Sequence, residues 1–142
     1  MIKWERGKLA EFTSPAPIKH FKPTEFECGC GKCKEQTIEY TLLVKLDALR
    51  SALKQPIRIN SGFRCESHNK IVGGEPNSQH LVGFAADIVV SGYSDDDYIR
   101  LLIMARTYNF TGFGLYNGRI HLDVRGSYPM DLYFWDKRYG KL

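Results

Sequence analysis

Apolar residues recur every three to four positions between residues 37 and 54, where Ile38, Leu42, Leu46, Leu49 and Leu53 share one helical face. The spacing predicts a helix over 37–54, ended by Pro56. IRIN at 57–60 reads as a short strand. The periodicity then stops. SGFRCESHNKIVGGEPNSQH, 61–80, holds three glycines and a proline and reads as a loop with one helical turn near 67–72. A loop of that length in a small domain is usually functional or disordered. FAADIVV, 84–90, has the character of a buried strand, and 94–109 that of a second helix. Ser94 can cap this helix with Asp97 at the capping-box position, and Asp95, Asp96 and Asp97 suit its N-terminus electrostatically. Those acids are therefore structural and not a metal site.

The segment 110–125, FTGFGLYNGRIHLDVR, carries the strongest local signal. Asn117-Gly118 between two strand-like runs predicts a two-residue hairpin turn. Such a turn pairs Tyr116 with Arg119, Leu115 with Ile120, Gly114 with His121, Phe113 with Leu122 and Gly112 with Asp123. Alternation along the strands gives one apolar face (Phe113, Leu115, Ile120, Leu122, Val124) and one polar face (Arg119, His121, Asp123, Arg125). On the polar face the cross-strand neighbours Gly112 and Gly114 have no side chains, which predicts open space, a cleft, over His121 and Asp123.

The length of 142 residues suits one domain. Residues 1–22, with Pro15 and Pro17, read as an N-terminal arm that lies on the body or is loosely ordered, and 23–142 as the domain itself. No apolar run approaches the ~20 residues of a membrane span. MIKWERGKLAEF lacks the apolar centre of a signal peptide. The net charge of +4 comes from scattered Lys and Arg. It describes a solvated surface, or attraction to a polyanion such as the bacterial cell wall. There is neither a basic helix nor a stacking ladder, so no nucleic-acid partner is expected.

Within SQHLVGFAADI, 78–88, Asp87 stands among Ala85, Ala86, Ile88 and Val89. A carboxylate buried there needs a counter-charge. His80, Asp87 and His121 could meet on one ion, since two imidazoles and a carboxylate bind zinc with a fourth position left for water. Gly83 lets the chain bend between loop and strand so that both ligands face one point.

SGFR (61–64), HN (68–69), GG (73–74), SQHLVGFAADI (78–88) and IHLDVR (120–125) resemble, in order and spacing, the M15 family of zinc peptidases. These include D-Ala-D-Ala carboxypeptidases and phage or bacterial cell-wall endopeptidases. The likeness spans about residues 21 to 125 and is greatest to the small single-domain branch. It implies an α+β fold of the hedgehog/DD-peptidase type, a mainly antiparallel sheet with packed helices. It implies Zn2+ held by His80, Asp87 and His121, and Arg64 as the arginine that holds the substrate or its oxyanion. The substrate implied is the stem peptide of peptidoglycan, and the chain is expected to be a monomer. The absence of a signal peptide and of a separate wall-binding domain fits a phage or prophage lysin, made in the host cytoplasm and acting on the cell wall, or virion-associated.

The chain departs from the family at one point. Many members carry an acid three residues before the last histidine, where this chain has Gly118. Asp123 is then the candidate general base, or else a residue that only orients a ligand. A zinc-bearing module without catalysis is the rival reading. Ser78 and Gln79 line the cleft or cap a turn, Tyr116 contacts substrate or packs, and His68 and Asn69 hold the loop. Trp4 and Trp135 pack the termini onto the body.

Cys28, Cys30 and Cys33 lie in a glycine-rich knuckle, and Cys65 follows Arg64. Three readings stand. Reduced thiols come first and a disulfide from the knuckle to Cys65 second. The third is a second, structural zinc with Cys65 or His20 as fourth ligand.

Overall fold

The computed structural model describes residues 1–140. In chain order the elements are strand β1 (Ile2–Glu5), β2 (Glu35–Ile38), helix α1 (Tyr40–Leu53), β3 (Arg58–Ser61) and α2 (Glu66–Ile71). They continue with β4 (Ala85–Val89), α3 (Asp95–Thr107), β5 (Gly112–Tyr116), β6 (Arg119–Asp123) and β7 (Tyr133–Asp136). Short 3-10 turns occupy Pro23–Phe26, Gln79–Val82 and Arg138–Gly140. No helix among the described residues is long and apolar enough to cross a membrane.

Five strands form the main sheet in the order β3-β4-β6-β5-β7, antiparallel except for the parallel pair β5–β7. The fold is α+β, as the sequence implies. Alternation divides the sheet. Ala86, Ile88, Phe113, Leu115, Ile120 and Leu122 point into the core, where they meet Leu42, Leu43, Leu46 and Leu49 of α1 and Tyr98, Leu101 and Ala105 of α3. Asp87, His121 and Asp123 take the other face. The Asn117-Gly118 turn sets the expected register, from Tyr116↔Arg119 to Gly112↔Asp123. Ser94 accepts from the Asp97 N–H while Asp97 accepts from the Ser94 N–H, closing the capping box.

Two elements differ from the sequence expectation, and one open expectation is resolved. The first helix begins at Tyr40, because Thr37 and Ile38 belong to β2 and pair with Lys3 and Ile2 of β1. A partner strand so distant in sequence leaves no trace in the local spacing. Of the two expectations for the first 22 residues, the structure shows the arm lying on the body: Trp4, Phe12 and Phe21 are in the core, with Phe12 edge-on to both Trp4 and Phe26. Burying each such ring is worth about 2–3 kcal/mol. Finally, β7 was not foreseen: it is a four-residue edge strand, half exposed and half partly buried, recognisable only by its pairing with β5.

Candidate metal centre and its cleft

A single row of residues crosses the sheet. Ser61 of β3 pairs with Asp87 of β4, Asp87 with His121 of β6, His121 with Gly114 of β5, and Gly114 with Trp135 of β7. His80 comes from outside the sheet, on the 3-10 turn Gln79–Val82. Ser78 starts that turn by accepting the His80 N–H at 3.2 Å. Gly83 ends it with a φ of +77°, and a side chain there would strike the Thr37 carbonyl. The chain bends at Gly83 and runs directly into β4, which carries Asp87.

One ligand atom from each of His80, Asp87 and His121 lies within 4.8 Å of the others, and all three residues are buried. Asp87 Oδ1 is 3.3 Å from His80 Nε2 and 3.1 Å from His121 Nδ1. The far nitrogens are already committed. His80 Nδ1 is 2.7 Å from the Gly62 carbonyl, which can only accept, so Nδ1 carries the proton and Nε2 presents its lone pair. His121 Nε2 is 2.7 Å from Asp123 Oδ2, which leaves Nδ1 as the second lone pair. Two nitrogen lone pairs thus converge on a carboxylate oxygen. Acceptors arranged in this way repel one another unless a cation sits between them, and the set suits zinc.

Without a metal, the two imidazoles titrate in opposite directions. Burial drives His80 below its ordinary value, keeping it neutral. Burial also pulls at His121, but its hydrogen bonds and Coulombic attraction to Asp123 and Asp87 outweigh this and raise it. Burial alone would raise Asp87, yet the two histidines hold it well below the usual carboxylate range. Without a metal, the site draws a proton onto His121.

Asp123 is fully buried, 0% exposed. Arg125 grips it with its backbone N–H at 3.1 Å, Nε at 3.0 Å from both oxygens and a terminal nitrogen at 2.6 Å. Burial opposes its ionisation, but His121 and Arg125 lower its pKa. Gly112 makes room for it, because a Cβ there would lie 2.0 Å from Oδ1. Asp123 therefore contacts the Nε2 side of His121, opposite the converging lone pairs.

A cleft of about 390 Å³ opens over the three candidate ligands. Arg64 lines it with three donors engaged: Nε to Ser61 Oγ at 3.0 Å, and one terminal nitrogen each to Asn69 Oδ1 and Asp87 Oδ2, both at 3.2 Å. A guanidinium has five N–H groups, so two remain. Asn69 is buried and donates to the Glu75 carbonyl at 2.8 Å, holding the loop as expected. The His68 ring lies against Gly29 instead. Ser78 and Gln79 both line the cleft, and Tyr116 forms part of its wall.

The space expected over Gly112 and Gly114 is not open. Asp123 takes the first, and the Trp135 indole takes the second, where a Cβ on Gly114 would lie 2.5 Å from Nε1. Trp135 donates to Tyr116 Oη at 2.8 Å, and its ring lies 4.9 Å from that of His121. It packs the C-terminal strand, as expected, and also walls the cleft. Sequence reasoning assigned no role in the site to Arg119, Lys137 or Glu75, which line the cleft as well. Arg119 had a signal: it shares the polar face with His121. It stacks 4.3 Å over Tyr116, with Nε 3.8 Å from Asp87 Oδ2. Glu75 and Lys137 pair across the rim at 3.7 Å.

The four cysteines are unbridged. His20, the other candidate for a fourth ligand with the knuckle, instead bonds Ser51 at 2.8 Å.

The sequence model of peptidase M15 matches residues 19–123. The zinc D-Ala-D-Ala carboxypeptidase of Streptomyces albus G is 37% identical over 112 residues, covering 74% of this chain and 42% of that relative. The chain thus spans about two fifths of the length of the curated relative it matches.

Proposed function

Because the chain belongs to the peptidase M15 family, we propose that it is a zinc peptidase that removes the C-terminal residue from stem peptides of bacterial peptidoglycan. One observation carries the reading: the lone pairs of His80 and His121 converge on Asp87 Oδ1 while their protons are held by Gly62 and Asp123. Zinc bound at such a site supplies a Lewis acid and brings the pKa of a coordinated water to about 7.

The chain's own residues prepare and support this chemistry. Asp123 orients His121 and raises its basicity as a ligand, a carboxylate–histidine arrangement common at zinc sites. It is poorly placed as a base, being fully buried, held by Arg125 and on the far side of the imidazole. Gly118, at the hairpin turn, offers no acid. Among the described residues lining the cleft the carboxylates are Asp87 and Glu75, so we assign proton transfer to Glu75. Its backbone is fixed by Asn69, which Arg64 also holds.

A carboxypeptidase must bind a terminal carboxylate, which calls for a cation beyond Arg64. Arg119 meets that need. Its side chain is 36% exposed, in the cleft and beside the ligands. The two uncommitted N–H groups of Arg64 suit the carbonyl oxygen that gains charge during attack.

The test uses a stem pentapeptide ending in D-Ala-D-Ala and its C-terminally amidated counterpart. The free acid should lose one alanine, read by mass, and the amide should react far more slowly. Equal cleavage of both, or cleavage only within cross-linked wall, would make the chain an endolysin-type endopeptidase. Zinc binding without cleavage of either would leave a zinc-bearing module.

A further inference from the structure

Outside the cleft, the Sγ atoms of Cys28, Cys30, Cys33 and Cys65 all lie within 4.8 Å of one another. We propose that these four cysteines hold a second zinc ion, a structural one, that fastens the loop carrying Arg64 to the N-terminal knuckle. Tetrahedral zinc has Zn–S bonds of about 2.3 Å, which places its sulfurs roughly 3.8 Å apart. Cys28 and Cys65 Sγ are already 3.7 Å apart, though 37 residues separate them.

N–H groups point at three of the sulfurs. Cys30 Sγ faces the backbone N–H groups of Lys32 at 3.4 Å and Cys33 at 3.2 Å, with Gly31 turning the chain at a φ of +73°. Cys28 Sγ faces the Cys65 N–H at 3.4 Å. Cys33 Sγ faces Gln36 Nε2 at 3.3 Å. Four thiolates around Zn2+ leave a surplus of negative charge. The Arg6 guanidinium meets it, 3.6 Å from Cys33 Sγ and 3.8 Å from Cys30 Sγ. Arg6 also donates to the carbonyls of Cys28 and Cys33, both at 2.8 Å, so the residue after β1 is built into the knuckle. A bridge between Cys28 and Cys65 alone would leave this arrangement around Cys30 and Cys33 without a purpose.

The location gives the ion a task. Cys65 follows Arg64 in sequence and is the N-cap of α2, and the His68 ring of that helix packs on Gly29 of the knuckle. Zinc at the cysteines therefore fixes the backbone behind Arg64, while Asp87 and Asn69 fix its guanidinium in front. Binding forms four Zn–S bonds and releases the thiol protons.

The experiment counts and types the metal. Wild type purified under reducing conditions should carry about two zinc ions per chain, and His80→Ala about one, still bound. Cobalt replacing zinc in the wild type should show sulfur-to-cobalt charge-transfer absorption. The cleft site has no sulfur ligand, so this band reports the cysteines alone and does not require a cysteine variant to fold. Cys30→Ser/Cys33→Ser should abolish it and make the 61–75 loop more susceptible to proteolysis. The proposal is overturned if cobalt-loaded wild type lacks the band, if all four native thiols are alkylated without metal release, or if a Cys28–Cys65 bridge is found by mass. Each result leaves the cleft zinc, and so the proposed peptidase function, to be judged separately through His80.

Discussion

Asp87 and His121 face each other across β4 and β6, with Asp87 Oδ1 3.1 Å from His121 Nδ1. The pairing is written into the sheet: both residues point away from the core, and the adjacent cross-strand pair, Ile88 and Ile120, points into it. A one-residue slip in register would bury the charges in the core and expose the isoleucines. The hydrophobic core thus sets the geometry of two of the three candidate metal ligands, and only His80 depends on the loop.

Asp123 should act through His121. Asp123→Asn is expected to weaken metal affinity about 10- to 100-fold and to regain much of its kcat in excess zinc. Isothermal titration and activity at graded zinc concentrations check this. An Asp123→Asn enzyme with wild-type zinc affinity and no activity at any zinc concentration would make Asp123 the base.

Glu75→Gln should keep its metal and lose about 10²- to 10⁴-fold in kcat, the usual contribution of a positioned acid–base group. Metal content measured beside kcat separates this from a folding defect. Unchanged kcat would remove Glu75 from proton transfer.

Arg119→Ala should lose one charge-assisted hydrogen bond to the substrate carboxylate, worth about 1.5–3 kcal/mol, or roughly 10- to 150-fold in kcat/KM. On an amidated substrate the same variant should match wild type. An equal loss on both substrates would place Arg119 in support of Asp87 instead.

Gly114→Ala should dislodge Trp135, whose Nε1 lies 2.5 Å from the added Cβ. Overpacking of this kind costs about 1–3 kcal/mol. Thermal unfolding should shift down, and tryptophan fluorescence should change as the indole leaves Tyr116. A variant with wild-type stability and emission would mean that β7 does not close the cleft.

Local features were the legible ones. The Asn117-Gly118 turn dictates the register of its own hairpin, so the shared face of Arg119, His121 and Asp123 follows from adjacent residues. The Ser94–Asp97 capping box is local in the same way. The family resemblance pointed to His80, Asp87 and His121 together, something their spacing alone could only suggest. Contacts between distant segments were not legible. β1 converts the start of an expected helix into β2 from more than 30 residues away. Trp135 fills the gap over Gly114 from a strand whose own four residues carry little pattern. Gly112 and Gly114 read as open space over His121 and Asp123, whereas Asp123 and Trp135 fill it, because a missing side chain does not say whether a neighbour takes its place.

The most direct test of the account compares zinc content and release of terminal D-Ala from a stem pentapeptide for wild type and His80→Ala. Wild type should lose activity on chelation and recover it with zinc. His80→Ala should lose one zinc equivalent and the activity together while keeping its fold by circular dichroism. A folded His80→Ala protein that still releases D-Ala would contradict the assignment of the centre at His80, Asp87 and His121.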